Sequence, residues 1–391
     1  MVTYIDIPSA PKRLAYILST PGKRVATELD PSFPTIYLCH PPWTNGYFYY
    51  PQFDDSSLNQ HYNLLAVDLP GHGPSRIKEP LEGEITWKRM SIILYEAFQA
   101  LNVKKAHLLG NDMGALAPMY MALDHPEIAE SLIMINPLGP PEPESVLVGF
   151  TDWFALQGEL MESQDPDLLD ILNTILVEFC TGQMSNWILR DICDGLADLA
   201  KAKLLCGEYA AYHRVFMALL TDRFAAPSAE QLSRMDFPTL IIENVIPGEE
   251  VDPDSGFDVW VDIVGKLNAL SASRGKPPLA ARHALVIESI NQFNSTSRWT
   301  TMTHCRVLTP LLKDFIENTT SASVFAQTES HLGRCQPREP EYPPDLGDIL
   351  DVLQGPSAAS SSQGEMKTWA DLVGEMQQGE GISNVYVEVE G

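Results

Sequence analysis

Residues 106 to 118 read Ala-His-Leu-Leu-Gly-Asn-Asp-Met-Gly-Ala-Leu-Ala-Pro, an apolar strand, a tight turn and then the start of a helix. A strand-to-helix turn this sharp lifts its central side chain above the sheet, and Gly110 and Gly114 keep Cβ atoms out of the crowded backbone. That geometry demands a strand handing directly to a helix, so it points to a parallel, helix-covered sheet. The residue on show is Asp112. A carboxylate placed there attacks an alkyl carbon or an epoxide and forms an ester that water must later cleave. The plainer alternative is an idle Asp112 that caps the helix, where the helix dipole favours negative charge.

The rest of the chain agrees with the turn. Short apolar runs alternate with helical patterns, the signature of a mostly parallel sheet covered on both faces. Strands are predicted at 14–19, 35–39, 63–67, 106–110, 131–136, 238–243 and 283–288. A helix is predicted near 86–101, where Trp87, Met90, Ile93, Leu94, Ala97, Phe98 and Leu101 recur at helical spacing. The helix after Asp112 should stop at Asp124-His125-Pro126, since a proline disfavours helical backbone in the residue before it.

After 131–136 the alternation breaks, and residues 145–235 read as helices with no strand. A helical insertion between two sheet strands is expected to form a lid that excludes water and shapes a cavity. The predicted organisation is therefore a core in two parts, 1–138 and 237–317, with a helical lid at 139–236. Residues 318–391 turn polar, with twelve acidic against three basic residues, and read as a largely disordered acidic tail. Two short apolar patterns within it, Leu346 to Leu353 and Trp369 to Met376, would suit either a protein partner or docking on the chain's own core.

A net charge of −26 repels nucleic acid and anionic lipid surfaces, so neither is expected as a partner. The six cysteines form no Cys-x-x-Cys pair and no cluster with histidine, and they read as reduced thiols of a cytoplasmic protein. No signal-peptide pattern and no apolar run of membrane-spanning length is present.

In order along the chain, four pieces resemble the α/β-hydrolase superfamily. They are His40-Pro41-Pro42-Trp43 after a strand, the run from Asp68 to Ser75 (Asp-Leu-Pro-Gly-His-Gly-Pro-Ser), the turn at 110–114 and the helical insertion. With Asp at the turn, the likeness is to epoxide hydrolases and dehalogenases. The resemblance implies an α/β-hydrolase fold, Asp112 as nucleophile, the Met113 N–H as a donor to the developing anion, and a small apolar substrate with no cofactor or metal. It also implies that Asn111, Pro42 and Trp43 line the site and that Tyr209 and Tyr212 of the lid face it. Degenerate loops, the passage Asp124 to Ile133 and the long polar tail are also similar to N-myc downstream-regulated proteins, which keep the fold without the catalytic triad.

Three departures bear on activity. Pro42 stands where the family donates a second N–H to the oxyanion, and proline has none. Asn45 or a lid side chain would then have to supply it. Met113 replaces the halide-binding Trp of dehalogenases, which favours epoxide or ester opening. Two registrations are open for the histidine. In one, Thr309 caps a short helix with Pro310 at its first position, and His304 is the base. In the other, a helix runs from about Trp299 through Phe315, and Asn291-Gln292-Phe293 stands where the family has Gly-His-Phe, so the base is lost at Gln292. His283, at the start of its strand, would lie on the wrong edge. For the acid, Asp252 in the loop 244–254 is the candidate.

Overall fold

The apolar runs become eight strands of one sheet in the computed structural model, which describes residues 3–8, 13–75, 84–137, 144–181, 187–222, 226–245, 257–286 and 298–318. The first half alternates β1 (Thr3–Asp6), β2 (Arg13–Ser19), β3 (Thr35–Cys39), α1 (Tyr50–Asp54), α2 (Ser56–Asn59), β4 (Asn63–Val67), α3 (Trp87–Ala100), β5 (Ala106–Asn111), α4 (Leu116–Asp124) and β6 (Ala129–Ile135). Five helices then intervene: α5 (Glu144–Ser163), α6 (Pro166–Thr181), α7 (Trp187–Leu205), α8 (Tyr209–Thr221) and α9 (Ala229–Arg234). The sheet resumes with β7 (Thr239–Val245), α10 (Phe257–Ser273), β8 (Ala280–Val286), α11 (Thr300–Thr303) and α12 (Cys305–Asn318).

The strand order is β1-β2-β4-β3-β5-β6-β7-β8. Pairings β1–β2 and β2–β4 are antiparallel, and every pairing from β4 onward is parallel. The reversal at β3 puts the C-terminal ends of β3 and β5 side by side, and crevices beyond strand ends at such a reversal are where open α/β sheets bind ligands. The central strands β3, β4 and β5 are buried along their whole length, as expected where helices cover both faces. On α3 the predicted stripe is buried from Trp87 to Phe98, with Leu101 just past the helix and half-buried, and the Trp87 indole N–H donates to the Leu219 carbonyl of α8 at 3.0 Å. That bond ties the helical insertion back to the core.

Three readings need correction. β1 was not expected: it is a four-residue edge strand with no buried residue, too short for periodicity to reveal. β8 begins three residues earlier than predicted, so His283 lies in mid-strand opposite Ile242. Thr309 and Pro310 lie inside α12 and do not start a helix. The buried face of Leu308, Leu312, Phe315 and Ile316 carries the helix through the proline, outweighing the local start signal. The loop holding Asn291, Gln292 and Phe293, the Asp252 loop and the tail from residue 319 lie outside the described residues.

Candidate functional site

β5 ends at Asn111, and the chain then turns through a single 3-10 turn, Asp112–Ala115, into α4. Asp112 has φ of +53°, a left-handed conformation that non-glycine residues seldom adopt and that functional turns impose. The flanking glycines are obligatory on steric grounds. A Cβ on Gly110 would stand 2.5 Å from the Ala115 Cα, and one on Gly114 would stand 2.5 Å from the His40 carbonyl oxygen. The second contact is with the loop 40–44, so the turn and that loop are packed backbone to backbone.

The loop itself is held by His40. Its Nε2 accepts the Leu69 N–H at 2.9 Å, so the proton is on Nδ1, which donates to the Pro41 carbonyl at 2.8 Å. Burial lowers the His40 pKa to about 4, in keeping with a neutral, structural imidazole. The Asp68–Ser75 run proves to be a brace of the same kind. Asp68 Oδ1 accepts the Gly46 N–H at 2.7 Å, and the Ser75 hydroxyl oxygen accepts the Ala15 N–H at 2.8 Å. Pro42 is buried in this loop. Trp43 follows in a left-handed conformation, φ +73°, as the next residue along with an N–H. Asn45 is engaged elsewhere: its side-chain oxygen caps the next turn through the Tyr47 N–H at 2.9 Å.

Above the loop sits an aromatic cluster. Trp43 packs on Phe216 of α8 at 4.9 Å between ring centroids, on Tyr212 at 5.7 Å and on Trp153 of α5 at 6.4 Å. Tyr212 also meets the His72 ring at 5.2 Å. Tyr209 packs on Tyr212, and its hydroxyl donates to Gln157 at 3.3 Å. The predicted lid tyrosines thus reach the loop beside the turn through Tyr212, whereas Tyr209 is bonded within the insertion.

The neighbouring strand ends are built differently. Asn136 leaves β6 with φ of +47°, and its side-chain oxygen accepts the Asn244 N–H of β7 at 2.9 Å. Its Nδ2 donates to the Thr300 hydroxyl oxygen at 2.5 Å, and Asn244 Nδ2 donates to the same oxygen at 2.6 Å. Asn111 accepts the Thr301 hydroxyl at 3.0 Å and donates to the Arg298 carbonyl at 2.8 Å. Neutral amides from three strand ends therefore bind the segment 298–301 directly onto the sheet. His304 falls just beyond, between α11 and α12, with Nδ1 at 2.8 Å from the Thr303 hydroxyl oxygen. Burial lowers its pKa to about 4. The structure brings His304 to Asp112 through no hydrogen bond or ion pair among the described residues.

What does face Asp112 is a cation. Arg298 Nη1 lies 3.7 Å from Asp112 Oδ1. Two amides, Arg298 N–H at 2.8 Å and Trp299 N–H at 3.1 Å, donate to the Cys180 carbonyl at the end of α6. The Cys180 thiol is pushed well above its usual range by burial and by the nearby Asp112 carboxylate, so it is a neutral neighbour and no thiolate nucleophile. Arg298, Cys180, Asn136, Asn244, Thr300 and Thr301 all escaped the sequence reading. Asn136 entered it only as the end of the predicted strand 131–136 and Asn244 only as the start of the loop 244–254. Among the described residues no three His, Cys, Asp or Glu side chains gather as a metal site, and no helix is long and apolar enough to cross a membrane.

The comparisons agree with this architecture. The α/β hydrolase fold family matches residues 34–178, which include the loop 40–44, the brace and the Asp112 turn. A protein named carbamate hydrolase RutD from Stutzerimonas stutzeri is 28% identical over 138 residues, covering 35% of this chain and 49% of the relative. The bifunctional epoxide hydrolase 2 of Rattus norvegicus is 27% identical over 146 residues, 36% of this chain and 26% of the relative. The chain thus spans half or less of the length of these two relatives. Among solved structures, an enol-lactonase from Burkholderia xenovorans aligns with a TM-score of 0.54 at 16% identity, covering 81% of this chain and all of that one. A hydrolase from Pseudomonas aeruginosa aligns at 0.53 and 16%, covering 81% of this chain and 98% of that one. This chain has the α/β-hydrolase fold.

Proposed function

We propose that the chain is a hydrolase of epoxide-hydrolase type, with Asp112 as its nucleophile. In the first step an Asp112 oxygen attacks an epoxide carbon, the carbon–oxygen bond breaks, and the released oxygen takes a proton. Water then adds to the Asp112 carbonyl carbon, the diol leaves, and Asp112 retains one oxygen from water. The Met113 N–H, in the turn that leads into α4, would donate to the oxyanion that forms on the Asp112 ester carbonyl when water adds. Trp43, Trp153, Tyr212 and Phe216 supply the apolar wall that suits a small, largely apolar substrate. The observation that carries this reading is the left-handed Asp112 between two glycines that tolerate no side chain. Hydrolase names among the relatives support it at the level of reaction class.

The test is mass spectrometry after turnover of epoxide and ester panels in oxygen-18 water. The label is expected in the peptide containing Asp112 and absent in Asp112→Asn. Turnover without label there would overturn the assignment.

A second reading has its own observation. Beside the turn, among the described residues, the ends of β6 and β7 hold Asn136 and Asn244 bound to Thr300, neutral groups suited to binding and not to proton transfer. On that reading the fold serves as a binding protein, with the tail, residues 318–391, engaging a protein partner. Loss of a partner on tail deletion, with Asp112→Ala still binding it, is the outcome that favours this reading.

A further inference from the structure

We propose that Gln157 and Asn173, two buried amides inside the helical insertion, receive a neutral hydrogen-bonding head group of the substrate, of carboxamide type, while its apolar chain runs to the Asp112 turn. This deepens the reading of Asp112 as nucleophile and rests on it for the reacting end of the molecule, though not for the head group.

The state of the two side chains is the first argument. Gln157 is 1% exposed and Asn173 3%. The Gln157 side-chain oxygen accepts the Tyr209 hydroxyl at 3.3 Å, and its Nε2 has no partner among the described residues. Asn173 is barer still, with neither Oδ1 nor Nδ2 bonded there. Buried polar groups are nearly always paired, and each exception calls for an explanation, a bound molecule among them. Together the two amides offer donors from both residues and an acceptor from Asn173, the complement of a carboxamide.

The second argument is position. Gln157 lies one turn along from Trp153 on the buried stripe of α5, which continues to Leu160. Trp153 packs on Trp43 and, at 5.5 Å between ring centroids, on Phe216, so Gln157 adjoins the aromatic wall. Asn173 belongs to the buried stripe Leu169, Asn173, Leu176 and Cys180 of α6. It precedes Cys180 by two turns, about 10 Å along the axis at roughly 1.5 Å per residue. Cys180 is where α6 meets Arg298 and Trp299. Because α5 packs on α6, each amide sits inside the insertion on a stripe that begins at the crevice. A molecule that reaches from the turn to these amides is elongated, with an apolar middle.

The third argument is charge. Both amides are neutral, and burying an ion without a counter-ion costs far more than burying a neutral amide. Lys203 of α7 is also buried, with Nζ 5.9 Å from the Tyr212 ring centroid, but it already has interactions of its own. The head group is therefore a neutral one.

The experiment reads recognition, folding and chemistry separately on the full chain. NMR titration with octanamide, octanoate and octyl fluoride, which share a chain length, isolates the head group. Octanamide is expected to bind about 10-fold more tightly than either of the others, a preference reduced in Gln157→Met and in Asn173→Leu and lost in the double variant. Asn173→Leu removes no bond among the described residues, so its thermal midpoint is expected to hold or rise. A lower midpoint in that variant, equal binding of the three probes, tighter binding of octanoate, or a preference that survives the double variant overturns the proposal. Octanamide and octyl fluoride chains that each end in a terminal epoxide then read the chemistry as ester adducts on Asp112, with the amide favoured in the same ratio. If octanamide is preferred but neither epoxide labels Asp112, the head-group site stands and the nucleophile falls. Equal labelling of Asp112 by both epoxides gives the reverse.

Discussion

The end of β5 and the ends of β6 and β7 lie side by side on one sheet, yet they are built by opposite rules. At β5 the chain accepts strain: a left-handed Asp112, two glycines with no room for a side chain, and a carboxylate facing a cation. At β6 the chain is left-handed too, at Asn136 with φ of +47°. There and at β7, however, the side chains are neutral amides, with Asn136 and Asn244 both donating to the Thr300 hydroxyl oxygen and Asn136 accepting the Asn244 N–H. A charged side chain held at a strained turn is a mark of functional sites, whereas hydrogen-bonded neutral networks mark rigid supports. The lesson is that one edge of the sheet carries two kinds of strand end, a turn that holds a carboxylate and a set of bonded neutral amides.

The contrast can be broken at its stiffest point first. Gly114→Ala drives a methyl against the His40 carbonyl, backbone that cannot swing aside, and should cost about 3 kcal/mol in urea unfolding. A cost under about 1 kcal/mol would mean that the turn is looser than its geometry requires. Next, Asn136→Ala strips partners from Thr300, from Arg298 and from the Asn244 N–H, and should cost about 1–3 kcal/mol while leaving the Asp112 turn in place. If it instead abolished folding altogether, the two regions would prove to be one unit.

The last effect is a slope. His40 titrates at about 4 in the fold against 6.5 when unfolded, so the unfolded state binds the proton first as pH falls. The stability it contributes is complete above pH 6.5 and is lost on descending toward pH 4. His40→Gln should flatten that decline in unfolding free energy. His107 and His304, lowered to about 4 by the same burial, and His72, His213 and His283, lowered likewise, would keep the remainder. An unchanged slope would mean that His40 reaches water.

Much of the scaffold could be read beforehand because parallel strands buried on both faces are continuous apolar runs. β3 and β4 fall where those runs lie, and the turn at 110–114 announces itself through two glycines. β1 could not be seen, since an edge strand of four half-exposed residues carries no pattern. Pro310 misled for a physical reason: its preference for a first helical turn is local, and the apolar face from Leu308 to Ile316 is not. The amide network was invisible for a different reason. Its bonds link positions 108 and 164 residues apart, and asparagine and threonine in isolation are ordinary loop residues. Arg298 is the extreme case, a single basic residue given meaning only by where its backbone is fastened.

That fastening has a mechanical corollary. The Cys180 carbonyl at the tip of α6 is the shared acceptor for two successive amides, those of Arg298 and Trp299. A withdrawal of α6 would strip both at once, at about 1 kcal/mol each, and would unmoor the guanidinium over Asp112 in the same stroke. One carbonyl oxygen thus couples the position of the insertion to the chain segment that crosses the strand ends.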